Sequence, residues 1–173
     1  MTTCVWFSFP RDYPKLYQSL ARVRLLDPEA RCVVVIDGTD DPPEGVEFLR
    51  REFDRGVHLS TEDSVRGVSR TLSQFTGDMV VKLDSDMIPA RAFWLDGPTV
   101  FQRSNGSYVG TYALPPRVLA VVQQCIADTP KPGPHEAIAI CFRAVVLLHG
   151  FEIPFTHHRL PQGQILPPEI TCI

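Results

Sequence analysis

The tripeptide Asp84-Ser85-Asp86 ends the run Gly77-Asp78-Met79-Val80-Val81-Lys82-Leu83. Met79 to Leu83 reads as a short apolar strand interrupted only by Lys82. Two carboxylates at i and i+2 of extended backbone point the same way, about 7 Å apart. Such a pair offers oxygen ligands to a hard cation and leaves coordination positions open for phosphate oxygens. A second acidic group, Asp37-Gly38-Thr39-Asp40-Asp41, follows Cys32-Val33-Val34-Val35-Ile36. It reads either as a solvated turn or as a ligand loop with Asp37 first in line. Arg66 and Arg70, four residues apart, share a helix face outside the apolar stripe. They serve either as solvated charges or, if that face looks into a cleft, as partners for an oxyanion. Trp6, Trp94 and Tyr112 can stack on a base or sugar, or simply fill core.

These residues need a frame. Cys4 to Phe9 forms a first apolar strand ended by Pro10. Asp12 and Pro14 open a helix in which Leu16, Leu20 and Val23 share a buried face. The β-branched run at Cys32–Ile36 has the character of a parallel strand covered on both faces. Val46, Leu49 and Phe53 suggest a second helix, and Val57-His58-Leu59 a short strand. Ser64 can cap a helix carrying Val65, Val68, Leu72 and Phe75. With the strand before Asp84 the order is βαβαβαβ, which predicts an α/β sandwich with a mainly parallel central sheet. In open sheets of this kind ligands bind outside the carboxyl ends of the strands, where both acidic groups fall. Further on, Tyr108–Leu114 reads as a strand, Pro116 starts a helix, and Ala137–Arg143 reads as a strand followed by a short helix to His149.

Composition bounds the rest. A chain of 173 residues with 44% apolar and 21% charged residues is sized for one domain with a substantial core. A net charge of −3 gives no basic footprint for nucleic acid. The five cysteines are scattered without a C-x-x-C pair, which indicates neither zinc site nor disulfide framework and leads to the expectation of a reducing, cytoplasmic setting. No secretory leader and no membrane-length apolar run is visible. Neither G-x-G-x-x-G nor a Walker A motif occurs. Many of the 16 prolines lie after residue 114, so the second half is expected to be rich in loops.

Three segments together resemble the nucleotide-sugar-binding half of GT-A-fold glycosyltransferases and are most similar to family 2. They are Val35-Ile36-Asp37-Gly38-Thr39-Asp40-Asp41, the helix segment Glu62–Leu72, and Thr76–Pro89 with its G-D-strand-D-x-D pattern. The resemblance implies a single GT-A-like (Rossmann-like) domain over 1–173. Residues 1–96 would form the nucleotide-sugar half, and 97–173 a reduced acceptor half with a proline-rich tail. It implies a metal-dependent transferase acting on a UDP- or GDP-linked sugar, with Mn²⁺ or Mg²⁺ as cofactor. Asp84 and Asp86 would hold the metal. Phe9, Asp37, Arg66, Arg70, Asp84, Ser85 and Trp94 would contact the donor. His157 and His158 are the candidates to complete the metal site, since some GT-A enzymes use a C-terminal His. The family's E-D pair, whose Asp serves as base, is missing. Glu136 and Glu152 are the nearest acids, neither in the family's context, and they stand with the metal-holding Asp84 and Asp86 as the candidate catalytic residues. The short acceptor half implies a minimal acceptor site or one completed by a partner subunit. A GT-A-like protein that binds nucleotide-sugar or sugar without transfer is the alternative. Nucleotidyl transfer lacks its glycine-rich loop here, and a haloacid-dehalogenase reading fails at Ile88.

Overall fold

The computed structural model describes residues 1–51 and 61–173. Strand β1 (Thr2–Phe7) leads through a short 3₁₀ turn at Pro10–Asp12 into α1 (Tyr13–Leu26), then β2 (Arg31–Asp37) and β3 (Glu47–Arg51). Helix α2 (Thr61–Leu72) returns the chain to β4 (Met79–Asp84), which turns at Ser85-Asp86 into β5 (Met87–Pro89). The second half runs β6 (Thr99–Gln102), β7 (Tyr112–Leu114), α3 (Pro116–Ala127), α4 (Glu136–Gly150), β8 (Thr156–Arg159) and β9 (Ile170–Cys172).

A seven-stranded sheet has the order β3-β2-β1-β4-β7-β6-β8, and β5 pairs with β9 in a second, small sheet. The pairs β3/β2, β2/β1, β1/β4 and β6/β8 are parallel; β4/β7 and β7/β6 are antiparallel. The sheet is therefore mainly parallel, as the βαβ alternation predicts. From β1 the chain builds outward to β2 and β3, then crosses back to place β4 on the other side of β1. Such a reversal leaves a crevice at the carboxyl ends of the two central strands.

The period-2 alternation of the strands divides the core between the two faces. Val5, Val33, Val35 and Val80 join Val65, Val68 and Leu72 of α2, Val118 and Val122 of α3, and Ile140 and Leu148 of α4. Cys4, Trp6, Val34, Ile36, Val81 and Leu83 pack with Leu16, Leu20 and Val23 of α1 and with Phe93 and Trp94. Lys82 and Asp84 alternate with Val80 and so lie on the α2–α4 side of β4.

Two expected elements differ. The helix through Val46, Leu49 and Phe53 is instead β3 at the sheet edge, aligned with β2 from Val33↔Glu47 to Asp37↔Arg51. Its few apolar residues are too sparse for a helix stripe, and half-buried Leu49 suffices to pack a strand on the core. Phe53 and the Val57–Leu59 strand lie outside the described residues. The expected strand at Ala137–Arg143 is the first half of α4. Ala137, Ile140, Cys141, Ala144 and Leu148 are buried at helical spacing, and the alternation of Ile138 and Ile140 imitated a strand. The Tyr108–Leu114 strand contracts to Tyr112–Leu114, with Tyr108 making one isolated bridge to Gln102.

All five cysteines are free thiols, and among the described residues no helix is long and apolar enough to cross a membrane.

Candidate functional site

Strands β1 and β4 run parallel with Phe7 opposite Asp84, so their carboxyl ends finish level. Beyond them lies a cavity of about 360 Å³, walled by Phe7, Phe9, Asp12, Lys15 and the segment Asp84-Ser85-Asp86. The strand does not continue through Asp86, because the chain turns after Asp84. The straight-strand spacing of the two carboxylates therefore does not apply, yet both line the one cavity. The turn is tied to β1: Ser85 Oγ donates to Ser8 Oγ at 2.9 Å, and Ser85 is nearly buried. From the far end of the sequence, Ile173 N donates to the Asp86 carbonyl at 2.9 Å, and Cys172 Sγ lies 3.6 Å from Asp86 Oδ2. Phe9 is 40% exposed and lines the cavity, with the Arg11 guanidinium 5.7 Å from its ring centroid. Lys15, in the first turns of α1, donates to the Ile173 carbonyl.

Lys82 organises the inner side of the site. Its side chain is 6% exposed, and its ammonium forms ion pairs with Asp84 Oδ1 and, at 2.9 Å, with Glu136 Oε1. The Tyr112 hydroxyl donates to Glu136 Oε2 at 3.0 Å. Burial alone pushes the Lys82 pKa down; Glu136 and Asp84 more than offset it, and the net shift is upward, so the group stays charged. Glu136 opens α4, with His135 Nδ1 accepting from Ala137 N as the cap. Gly110 closes the other side of Asp84: a Cβ there would lie 2.5 Å from Asp84 Oδ2. No sequence motif marks Lys82 as a site residue. The signal was present in its position, a lone charge in an apolar strand two residues before Asp84 and hence on the same face.

Asp37, at the end of β2, accepts from Arg51 Nε at 2.8 Å, and the Arg51 guanidinium stands 4.9 Å from the Phe7 ring centroid. Neither Asp37 nor Arg51 lines the cavity itself; the pair is connected to it only through the Arg51 contact with Phe7. Arg70 lines a separate cavity of about 320 Å³ with Arg50 and Arg51. Arg66 is occupied elsewhere, donating to the carbonyls of Thr129 and Pro130 beyond α3.

Four other candidates, Trp94, His157, His158 and Glu152, are not brought to this cavity. Trp94 is 2% exposed and donates from Nε1 to Asp27 Oδ2 at 2.8 Å, in the core beneath α1. It is a packing residue with a buried polar tether, not a stacking surface. Trp94→Phe is expected to leave nucleotide affinity unchanged and to cost about 1–3 kcal/mol of stability, because the Asp27 carboxylate loses its donor; parallel denaturant melts and nucleotide titrations check this. His157 and His158 lie on β8, separated from β4 by β7 and β6. His157 bonds Gln102 Oε1 at 3.0 Å, and His158 stacks on Phe101 with Glu169 nearby. Burial, together with the positive charge of Arg159, lowers the His157 pKa. Glu152 follows the C-terminal end of α4, the opposite end from Glu136, at a left-handed φ of 53°.

No family model matches this chain, and no curated protein sequence matches it. Solved structures do. A Bacillus anthracis chain assigned as a glucose-1-phosphate thymidylyltransferase, in complex with a sucrose, superposes with a TM-score of 0.57 at 13% identity, covering 93% of this chain and 87% of that one. A Desulfovibrio desulfuricans chain assigned as a nucleotide-diphospho-sugar transferase gives 0.51 at 11% identity, covering 91% and 79%. At these identities the likeness is one of fold. The chain has a Rossmann-like α/β fold with a mainly parallel central sheet, and it shares that fold with both structures.

Proposed function

We propose that the protein is a divalent-metal-dependent glycosyltransferase of the GT-A type, moving a sugar from a UDP- or GDP-linked donor to an acceptor. The observation that carries this reading is the placement of Asp84, Ser85 and Asp86 in a 360 Å³ cavity at the carboxyl ends of β1 and β4, the switch point of the sheet. The donor set suits Mn²⁺ or Mg²⁺. Among the described residues no group of three or more His, Cys, Asp or Glu side chains is gathered to hold an ion. Two carboxylates remain, and a hard cation held by one or two carboxylates completes its shell with substrate phosphates. An ion bound there would supply Lewis-acid stabilisation of the departing diphosphate.

The chain's own residues account for the other duties. Phe9 presents a ring on which a base or ribose can stack. Asp37 is held by Arg51 behind Phe7, and a nucleotide reaching past Phe7 can use it as an acceptor for a hydroxyl or ring N–H. The Ser8–Ser85 bond fixes the turn that aims Asp86. The Bacillus anthracis chain of like fold is assigned to nucleotidyl transfer. Here β1 runs into Ser8-Phe9-Pro10-Arg11 and a 3₁₀ turn without a glycine-rich loop, which favours sugar transfer.

One observation favours a second reading, nucleotide-sugar binding without transfer. Glu136 is engaged by both Lys82 and Tyr112, and Glu152 stands at the far end of α4. Neither is poised as a free base for an acceptor hydroxyl. An acceptor site completed by a partner subunit would answer the same observation. The test is calorimetric titration with UDP and GDP, with and without Mn²⁺, followed by measurement of donor hydrolysis with and without sugar acceptors. Metal-dependent binding with turnover is expected. Metal-dependent binding without turnover selects the second reading, and absence of binding by both nucleotides in both conditions removes the donor site.

A further inference from the structure

The contact between Lys82 and Asp84 is unusual for a residue expected to serve a metal. Asp84 Oδ1 already faces the ammonium of a side chain that is 6% exposed and cannot swing into solvent. Glu136 Oε1 at 2.9 Å holds that ammonium from behind, and Tyr112 anchors Glu136 in turn. Gly110 leaves space for the carboxylate that a methyl group would fill, 2.5 Å from Oδ2. Asp84 is therefore locked in place and partly neutralised before any ligand arrives. A divalent ion entering alone between Asp84 and Asp86 would meet the field of Lys82 at close range. An ion entering with a diphosphate would bring its own oxygens and negative charge.

We propose that Lys82 is a resident counter-ion for Asp84 that keeps bare divalent cations out of the cleft, so that the metal enters as its complex with the diphosphate. Lys82 acts through Asp84 and is a positioning residue. Glu136 tunes it by sharing the ammonium: the more Lys82 is drawn to Glu136, the more of Asp84 is free for the ion. This inference rests on the metal-dependent donor site proposed above and specifies how that site selects its ligand.

The test reads Mn²⁺ binding to the nucleotide-free full chain, by paramagnetic resonance of the free ion or by calorimetry. It uses wild type, Lys82→Met, Glu136→Gln and the double variant Lys82→Met/Glu136→Gln. Circular dichroism establishes folding. The double variant lowers the charge left unpaired and keeps the test usable if Lys82→Met does not fold. Removing one unit of positive charge beside Asp84 is expected to tighten bare-ion binding about tenfold or more in Lys82→Met, and by a smaller factor in the double variant, which also loses the more distant Glu136 charge. Glu136→Gln, which leaves the ammonium wholly to Asp84, is expected to bind the bare ion no more tightly than wild type. A lysine with only a structural role would give weaker binding in every variant. The inference is overturned if a folded Lys82 variant binds bare Mn²⁺ no more tightly than wild type. Asp86→Ala separates this from failure of the donor site itself. If wild type binds UDP or GDP with Mn²⁺ and Asp86→Ala does not, a flat result in the Lys82 variants removes only the counter-ion role. If Asp86→Ala keeps metal-dependent nucleotide binding, the assignment of the metal to the Asp84-Ser85-Asp86 turn falls, and the counter-ion role with it.

Discussion

Asp86→Ala is expected to reduce metal-dependent binding of UDP or GDP by more than about 100-fold, with little change in fold. Loss of a residue that merely orients a metal ligand costs about 10–100-fold in metal affinity, and loss of a ligand should exceed that. The site offers little compensation. Asp84 shares one oxygen with Lys82, and among the described residues no third protein ligand is gathered nearby. The fold should tolerate the change, because the Asp86 turn is held by main-chain and serine contacts. These are the bond from Ile173 N to the Asp86 carbonyl and the Ser85–Ser8 hydroxyl bond. Titrations of wild type and variant, with Mn²⁺ and with chelator, are the check. Unchanged affinity in the variant would remove Asp86 from the metal site.

The largest stability effect is expected from Lys82→Met. Breaking a buried ion pair by removing one partner typically costs about 3–5 kcal/mol, because the remaining charge is left uncompensated. Here two carboxylates lose their shared cation. Glu136 is 13% exposed, but the Asp84 side chain is 37% exposed and water screens it, so the lower end, about 3 kcal/mol, is expected. In a chain of this size that corresponds to a fall in Tm of about 6–12 °C. The pH dependence has a definite sign. The folded-state pKa of Lys82 is raised above its ordinary value by Glu136 and Asp84 against the opposing effect of burial. Its contribution to stability is then fully present below the unfolded lysine pKa, about 10.4, and is lost as pH rises above that toward the folded value. Wild type should therefore hold a flat contribution from this group through neutral pH and lose it only in alkali. The difference in unfolding free energy between wild type and Lys82→Met should shrink above about pH 10.5. Denaturant melts at pH 7, 9 and 11 measure this. A difference independent of pH over that range would remove the ion pairs as its source.

Much of the frame was legible along the chain because its signals are local. The β-branched run at Cys32–Ile36, the helical spacing of Leu16, Leu20 and Val23, and the apolar run ending in Asp84 each declare their element within one segment. Alternation of strand and helix then constrains β1, β2 and β4 of the large sheet to a parallel arrangement, and the acidic residues after β2 and β4 to its carboxyl edge. Where local signals were sparse or double, packing decided. Val46 to Arg51 has too few apolar residues to specify a helix, and pairing with β2 made it a strand. Ala137 to Arg143 carries both alternating and helical spacing, and burial against α2 and α3 selected the helix.

The site divides along the same line. That Asp84 and Asp86 stand together at a strand end follows from two residues of separation, so the sequence alone determined it. That Lys82 faces Asp84 follows from the same alternation. Glu136 lies 54 residues beyond Lys82, and nothing in either segment announces that α4 begins against β4. The same holds for Cys172 at Asp86, for Trp94 tied to Asp27 in the core, and for the histidines of β8, placed three strands from the aspartates. A side chain's type and spacing state what chemistry it can do. Whether its charge is free, shared or buried depends on which distant element packs over it, and only the tertiary structure decides that.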